Sequence, residues 1–403
     1  MNQKAMVDVV ILGGGIAGLW LLNRLRKQGY SAILLEKQAL GSGQTVKAQG
    51  ILHGGMKYAL TGSMTAAARQ VAAAPDLWQA CLNGQGEVDL RGVPVLSSSQ
   101  YLWTTDTLAS KLGGFVAGKV LAGVEILSRG AFPPFFQHPD FRGQVYCLPE
   151  QVIDVPGLLR ELAKLHQDVI FHVRDMDLQW EGKGLSALTL HPDVMPAVEL
   201  SAKKYVFAAG TGNEELLSGM PEHDIFQQRR PLHMVMAKLE PGFAEPLYAH
   251  CLGAGTTPRI TVTTHRAADG GMIWYLGGGI AEEGVNRSSE EQTVFAQKEL
   301  QALFPWLDFS NVTFSSFRVD RAEEASPSGK RPDSFSVRES ENCLVITPTK
   351  MVLAPMLSES VLQKLEGENI KTGRADLRAL NAWPAPAIAR PMWDEVESWE
   401  TVS

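Results

Sequence analysis

Near the N-terminus an apolar run, Val9-Val10-Ile11-Leu12, breaks into Gly13-Gly14-Gly15-Ile16-Ala17-Gly18 and resumes as an apolar helix, and this break constrains the fold more than any other segment. Glycine at positions 13 and 15 lets the backbone turn sharply and approach a ligand, while Gly18 lets the following helix sit close on the strand. The helix start supplies unpaired N–H groups and partial positive charge, a combination that holds an anion. Leu19, Leu22 and Leu25 form one stripe of that helix, Asn23, Arg24 and Lys27 fall off it, and Gly29 is placed to stop it. A second apolar run, Ala32-Ile33-Leu34-Leu35, ends in Glu36. That carboxylate, about 20 positions beyond the turn, can accept hydrogen bonds from ribose hydroxyls and would repel a ribose phosphate. The segment therefore predicts a βαβ unit that holds the pyrophosphate of a dinucleotide, with NADP disfavoured.

The chain has 403 residues, 45% hydrophobic and 20% charged, which is room for two or three domain cores of a soluble globular protein. A net charge of −7 argues against nucleic acid as a partner. Cys81, Cys147, Cys251 and Cys343 show no CxxC or metal-type spacing and read as reduced, mostly packed thiols, with no metal site expected. Lys4 followed by the apolar residues up to Leu22 has some look of a signal peptide, but the three glycines interrupt it and the nucleotide unit needs the same residues. No other stretch reaches the ~18 apolar residues of a membrane span. A cytoplasmic location without a transmembrane segment is expected, peripheral membrane contact remaining open.

Downstream, Lys204-Tyr205-Val206-Phe207-Ala208-Ala209-Gly210-Thr211-Gly212 places small residues at the end of an apolar strand, which lets the backbone pass close to a ligand or to the first glycine turn. The segment 155–165 has helical spacing with Pro156 at a tolerated early position, and Val169–Val173 reads as a strand. These continue the nucleotide-binding layer after an insertion. Residues near 76 to 145 mix short helices and turns, whereas 216 to 335 hold strand-like runs such as Ile260-Thr261-Val262-Thr263-Thr264 and Met272-Ile273-Trp274-Tyr275-Leu276. The expected fold is α/β: a Rossmann-type domain from 1–75, 146–215 and 336–372, interleaved with an α+β substrate domain on a mainly antiparallel sheet from 76–145 and 216–335. The tail, 373–403, has no clear period and either docks on the body or stays mobile.

The glycine turn with Glu36, the Ala208-Ala209-Gly210 strand end, and the loop Thr45-Val46-Lys47-Ala48-Gln49-Gly50-Ile51-Leu52-His53-Gly54-Gly55-Met56-Lys57-Tyr58 together resemble the FAD-dependent oxidoreductases of the D-amino-acid oxidase superfamily. The loop is most similar to the glycerol-3-phosphate dehydrogenase branch, with Lys57 where that branch carries arginine. The segment from Cys343 through Thr347-Pro348-Thr349-Lys350-Met351 into Val352–Leu362 is similar to the superfamily's last strand, loop and helix beside the flavin, with Pro348 and Thr349 where glycines are usual. The resemblance implies non-covalent FAD held by Gly13, Gly15, Ile16, Ala17, Gly18, Glu36, Lys37, Thr45, Lys47, Ala48, His53, Gly54, Val173, Ala209, Gly210, Lys350 and Met351.

It also implies oxidation of a small anionic substrate, an amino acid, 2-hydroxy acid or polyol phosphate, by hydride transfer from C–H to flavin N5. His53, Lys57, Tyr58, Arg318 and Lys350 are the catalytic candidates. His53 either lines the flavin, with or without moving a proton, or packs in its loop. Arg318 and Arg321 fall where the superfamily carries an arginine for the substrate anion, which a guanidinium can grip with two parallel hydrogen bonds. His265 is a second-rank candidate. The chain carries no clear second acceptor site, so oxygen, a quinone or another protein are the open routes of reoxidation. An NAD-dependent dehydrogenase and a flavin-bound assembly or regulatory protein without turnover are the alternatives.

Overall fold

The computed structural model describes residues 3–54, 66–105, 124–192, 196–252, 257–327, 329–368, 370 and 375–402, with 66–70 described as helix backbone alone. The expected βαβ unit is present: β1 (Gln3–Leu12), α1 (Ile16–Lys27) and β2 (Ala32–Glu36). β1 lies between two parallel neighbours, β2 and the strand Val198–Phe207. Beyond these, Ile170–His172 pairs in parallel with β2, and Cys343–Thr347 pairs in parallel with Val198–Phe207. Strands covered on both faces read as unbroken apolar runs, and Val9 through Leu12 are at most 1% exposed. The helices α1, Val155–Lys164 and Ala354–Gly367 pack together beside this sheet, and Trp78 of the helix Ala66–Leu82 meets Trp20 of α1 at a ring separation of 4.7 Å.

Because the core strands run the same way, their C-terminal ends at Leu12, Glu36, His172, Phe207 and Thr347 share one edge. Ligands of open parallel sheets bind at that edge.

The second sheet has nine described strands and is antiparallel except where Ala249–Cys251 runs parallel to Gln100–Trp103. Its longest pair, Gln227–Leu239 with Thr313–Glu324, keeps register without a bulge from Gln227 opposite Glu324 to Lys238 opposite Thr313. Side chains alternate between faces along such strands. One face carries Val235, Trp274, Leu276 and Phe314 into an aromatic core under the helix Ser289–Leu303. The other carries Met234, Met236, Ile273 and Tyr275.

The tail docks on both layers. Leu40 N–H donates to Ala387 O at 2.8 Å, Ala389 N–H donates to Leu40 O at 3.0 Å, and Glu400–Thr401 pairs with Thr313 and Phe314. Leu380, Trp383 and Trp393 are buried, so apolar anchors hold a segment that has little secondary structure of its own. All four cysteines are free thiols, three of them buried. No helix among the described residues is long and apolar enough to cross a membrane.

Candidate active site

The glycine turn is shaped by contacts that a side chain would abolish. A Cβ on Gly13, whose φ is +114°, would lie 2.6 Å from Ala209 Cα, and one on Gly18 would lie 2.0 Å from Gly13 O. Gly15 differs: among the described residues the single neighbour of its would-be Cβ within 4 Å is Thr45 Oγ1, at 3.3 Å. It opens onto a cradle rather than onto protein. Gly15 is also the N-cap of α1, whose first turn holds no acidic residue and no side-chain cap, so the positive end of the helix is left for an anion. Thr45 Oγ1 accepts the Ile16 N–H at 3.0 Å and ties the loop that follows β2 to this cradle. Glu36 receives Gly14 N–H at 2.6 Å and Gln38 N–H at 2.7 Å, and each carboxylate oxygen keeps a further lone pair for a hydroxyl. Val173 follows the neighbouring strand and donates its N–H to Glu36 O at 2.9 Å. These features fit a dinucleotide pyrophosphate and its ribose. Lys37 points away, 58% exposed and paired with Glu215 at 3.2 Å.

Ala209 and Gly210 close the other side of the turn. Gly210 has φ +59°, and Ala209 N–H is satisfied by Asn213 Oδ1 at 2.9 Å. The loop from Pro348 to Lys350 leaves the adjacent strand at the same edge. Thr349 adopts φ +58°, the left-handed region in which glycine is at ease and a β-branched residue is strained. Two hydrogen bonds hold it there: Thr349 Oγ1 donates to Ser334 O at 2.8 Å, and an Arg331 N–H donates to Thr349 O at 2.8 Å. The loop therefore keeps a glycine-type conformation without glycine. Met351 begins a short 3-10 turn immediately after Lys350.

The loop carrying Lys47 and Ala48 lies under the second sheet. Tyr275 Oη donates to Lys47 O at 2.7 Å, and Gln49 Nε2 donates to Tyr275 O at 2.9 Å. Ala48 N–H closes a tight turn on Thr45 O at 3.0 Å. Further on, His53 Nδ1 lies 3.1 Å from Glu150 Oε2, and Gly54 N–H donates to Glu150 Oε1 at 2.8 Å. The ring of His250 stacks on His53 at 5.6 Å, and His250 Nδ1 is 2.7 Å from Thr261 Oγ1. His53, Glu150 and His250 thus bring three potential metal-ligating atoms within 4.8 Å of one another. No sequence spacing announces this group, since 97 residues separate His53 from Glu150. Lys57 and Tyr58 lie outside the described residues.

The two arginine candidates part company at the sheet. Phe317 stacks on Tyr275 at 6.1 Å, so by alternation Val319, Arg321 and Glu323 share the face that meets the Lys47 loop. Arg318 lies on the opposite face, where it is exposed and donates to Arg287 O. The face that meets the Lys47 loop therefore carries Arg321 and not Arg318. Arg321 sits beside the fully buried Glu323, which pairs with Arg230 at 2.8 Å and faces Arg331 at 3.5 Å. Arg321 itself meets Glu282 at 3.5 Å, and its buried Nε has no hydrogen-bond partner among the described residues. Burial first, and then the charges of Arg230 and Arg331, lower its pKa to about 10. His265, the second-rank candidate, is packed rather than poised. It stacks on Trp393 at 4.6 Å, faces Thr263 Oγ1 at 3.0 Å, and burial pushes its pKa down to about 3.

Comparison with known proteins agrees with this architecture. Residues 8–354 match the family model of the DAO group, FAD dependent oxidoreductase. The chain is 44% identical over 396 residues to the probable FAD-dependent oxidoreductase PA4991 of Pseudomonas aeruginosa, covering 98% of this chain and 99% of that one. The crystal structure of PA4991 superposes with a TM-score of 0.83 at 41% identity, over 98% and 99% of the two chains. An FAD-bound, dithionite-reduced L-alpha-glycerophosphate oxidase from Mycoplasma pneumoniae shares the fold at a TM-score of 0.64 and 16% identity, over 90% and 95% of the chains. Glycine oxidase from Geobacillus kaustophilus does so at 0.64 and 16%, over 93% and 97%. FAD is accordingly the dinucleotide, which sets aside NAD, and the chain belongs to the DAO family of FAD-dependent oxidoreductases.

Proposed function

We propose that this oxidoreductase takes a hydride from the C–H bond of a small anionic donor, the carbon lying alpha to a hydroxyl or an amine, and that Arg321 grips the donor's anionic end. FAD, when bound, supplies the two-electron acceptor at N5. The chain's own residues do the rest. The Gly13–Gly18 turn, Thr45 and Glu36 hold the non-covalent dinucleotide, and Ala209 and Gly210 border it. The segments of Lys47, Ala48, His53, Gly54, Lys350 and Met351 line the reacting end in this reading.

The observation that carries the anionic class is the arginine cluster. Arg230, Arg321 and Arg331 surround a single fully buried carboxylate, Glu323, and the buried Nε of Arg321 has no hydrogen-bond partner among the described residues. A guanidinium with spare donors suits a carboxylate or phosphate, which it can bind through two parallel hydrogen bonds. The substrates in the names of two fold relatives, glycerophosphate and glycine, are also small anions. The test compares Arg321→Ala with Arg318→Ala in anaerobic FAD reduction. Arg321→Ala should raise the half-saturating donor concentration and leave FAD in place, Arg318→Ala should change neither, and the reverse pattern would refute the assignment.

A further inference from the structure

We propose that His53, Glu150 and His250 form a binding site for one divalent cation of the zinc class, at the seam between the loop that follows β2 and the second sheet. The three ligands come from separate elements: His53 from that loop, Glu150 from just beyond the strand Val145–Leu148, and His250 from the strand Ala249–Cys251. One donor atom of each lies within 4.8 Å of the other two. None of the four cysteines takes part. The site is independent of Arg321 and of the donor class.

The charges around Glu150 point to a cation. Three carboxylates are buried among the described residues: Asp8, Glu150 and Glu323. Asp8 pairs with Lys203, and Glu323 pairs with Arg230. Glu150, its side chain 4% exposed, meets no lysine or arginine among the described residues; its neighbours are the two histidines and the Gly54 N–H. Burying a carboxylate is costly unless a cation or a metal compensates it. Two imidazoles beside such a carboxylate make a ligand set for a transition ion, whereas magnesium and calcium favour oxygen alone.

The geometry suits that ion. Zinc holds imidazole nitrogens at about 2.0–2.1 Å and carboxylate oxygens at about 2.0–2.2 Å, so neighbouring donors of a tetrahedral site sit roughly 3.4 Å apart. His53 Nδ1 and Glu150 Oε2 are already 3.1 Å apart. The widest separation in the group, 4.8 Å at most, needs to close by no more than about 1.4 Å. The outer contacts are those of oriented ligands. Gly54 N–H holds Glu150 Oε1 at 2.8 Å and so turns Oε2 toward the group, and Thr261 Oγ1 fixes the His250 ring from 2.7 Å at Nδ1. Three protein ligands leave a fourth position for an oxygen ligand, and it opens on the side of His53, the one exposed member of the three.

The test uses the FAD-loaded protein without an affinity tag, treated with a chelator that is then removed. Zn2+ binding is followed by calorimetry, and elemental analysis after desalting gives the stoichiometry. The parent should retain one Zn2+ per chain. Glu150→Gln and His53→Ala should each weaken binding about 100-fold or more, and Thr261→Val, which removes an outer partner alone, about 10-fold. His53 is exposed, so its replacement tests the site with the least disturbance of packing. Nitrogen NMR of isotope-labelled histidine reads the ligands in the parent itself. Of the nine histidines, the two whose ring nitrogens shift with one equivalent of Zn2+ should be those whose signals disappear in His53→Ala and His250→Ala. A parent that retains no stoichiometric Zn2+ overturns the proposal and leaves a plain hydrogen bond between His53 and Glu150. Binding of equal strength in the parent, Glu150→Gln and His53→Ala overturns it as well, because the ion then sits elsewhere.

Discussion

Gly15 and Gly18 lie three positions apart in the same turn, yet replacing each with alanine should damage different properties. At Gly18 the new Cβ would lie 2.0 Å from Gly13 O, so α1 must back off by roughly 1.4 Å to reach ordinary contact at 3.4 Å. Forcing an extra methyl into a packed site costs about 1–3 kcal/mol. At Gly15 the backbone is extended, with φ −77° and ψ −176°, which alanine adopts freely, and Thr45 Oγ1 at 3.3 Å has little to yield. Replacing an N-cap glycine by alanine costs about 1 kcal/mol or less. The same methyl, however, projects into the cradle and keeps a phosphate from the helix N–H groups. One charge-assisted hydrogen bond is worth about 1.5–3 kcal/mol, so FAD affinity should fall about 10- to 150-fold. Denaturant unfolding of the apoproteins and fluorescence titration with FAD separate the two effects. Gly15→Ala should unfold near the parent and bind FAD weakly, whereas Gly18→Ala should be measurably less stable even without cofactor. A Gly15→Ala protein that binds FAD within about twofold of the parent, or an apo Gly18→Ala protein that unfolds as the parent does, would refute these roles.

Three further outcomes are expected. Arg321→Ala should weaken donor binding about 10- to 100-fold, with Arg321→Lys intermediate because it keeps the charge and loses the fork, while Arg318→Ala stays within about twofold in the same kinetic assay. Trp393→Ala should cost about 3–5 kcal/mol in denaturant unfolding, since it empties a buried site against His265 and Tyr275. Acid stability should depend on His265: its pKa falls from 6.5 unfolded to about 3 folded, so between those values the unfolded chain binds the extra proton. Stability attributable to this group is full above pH 6.5 and declines by about 1.4 kcal/mol per unit as the pH falls toward 3. The difference in unfolding free energy between the parent and His265→Gln, followed across that range, measures it, and a flat difference would contradict the burial of the ring.

The nucleotide half of the fold was legible in the sequence because its signals are local. Gly13, Gly15, Gly18 and Glu36 lie within one strand, turn, helix and strand, and Ala209 with Gly210 ends another apolar strand. The candidate substrate side depends on pairings that sequence spacing does not encode. His53 acquires its meaning from Glu150 and His250, which arrive from a strand end and from a different sheet strand. Arg318 and Arg321 differ by three positions and so fall on opposite faces, but which face meets the Lys47 loop is set by the stacking of Phe317 on Tyr275. Both faces of Thr313–Glu324 are partly covered, so the strand lacks the clean alternation that would have revealed its orientation. The left-handed backbone at Thr349 was hidden in another way, since it is held by Arg331 and Ser334 rather than announced by glycine. The tail showed no period because it is anchored by separate residues, Leu380, Trp383 and Trp393, rather than by an amphipathic helix.

FAD in this protein is proposed to be reduced by a small anion held at Arg321. Anaerobic titration of the purified, FAD-loaded protein, followed by the loss of flavin absorbance, tests it directly. The donors to compare are 2-hydroxy acids, polyol phosphates and amino acids, each set against its uncharged analogue. Bleaching by at least one anionic donor is expected, with the uncharged analogue ineffective at the same concentration and Arg321→Ala needing about 10-fold or more donor. Equal bleaching by the neutral analogue, or an Arg321→Ala protein that responds as the parent does, would contradict it.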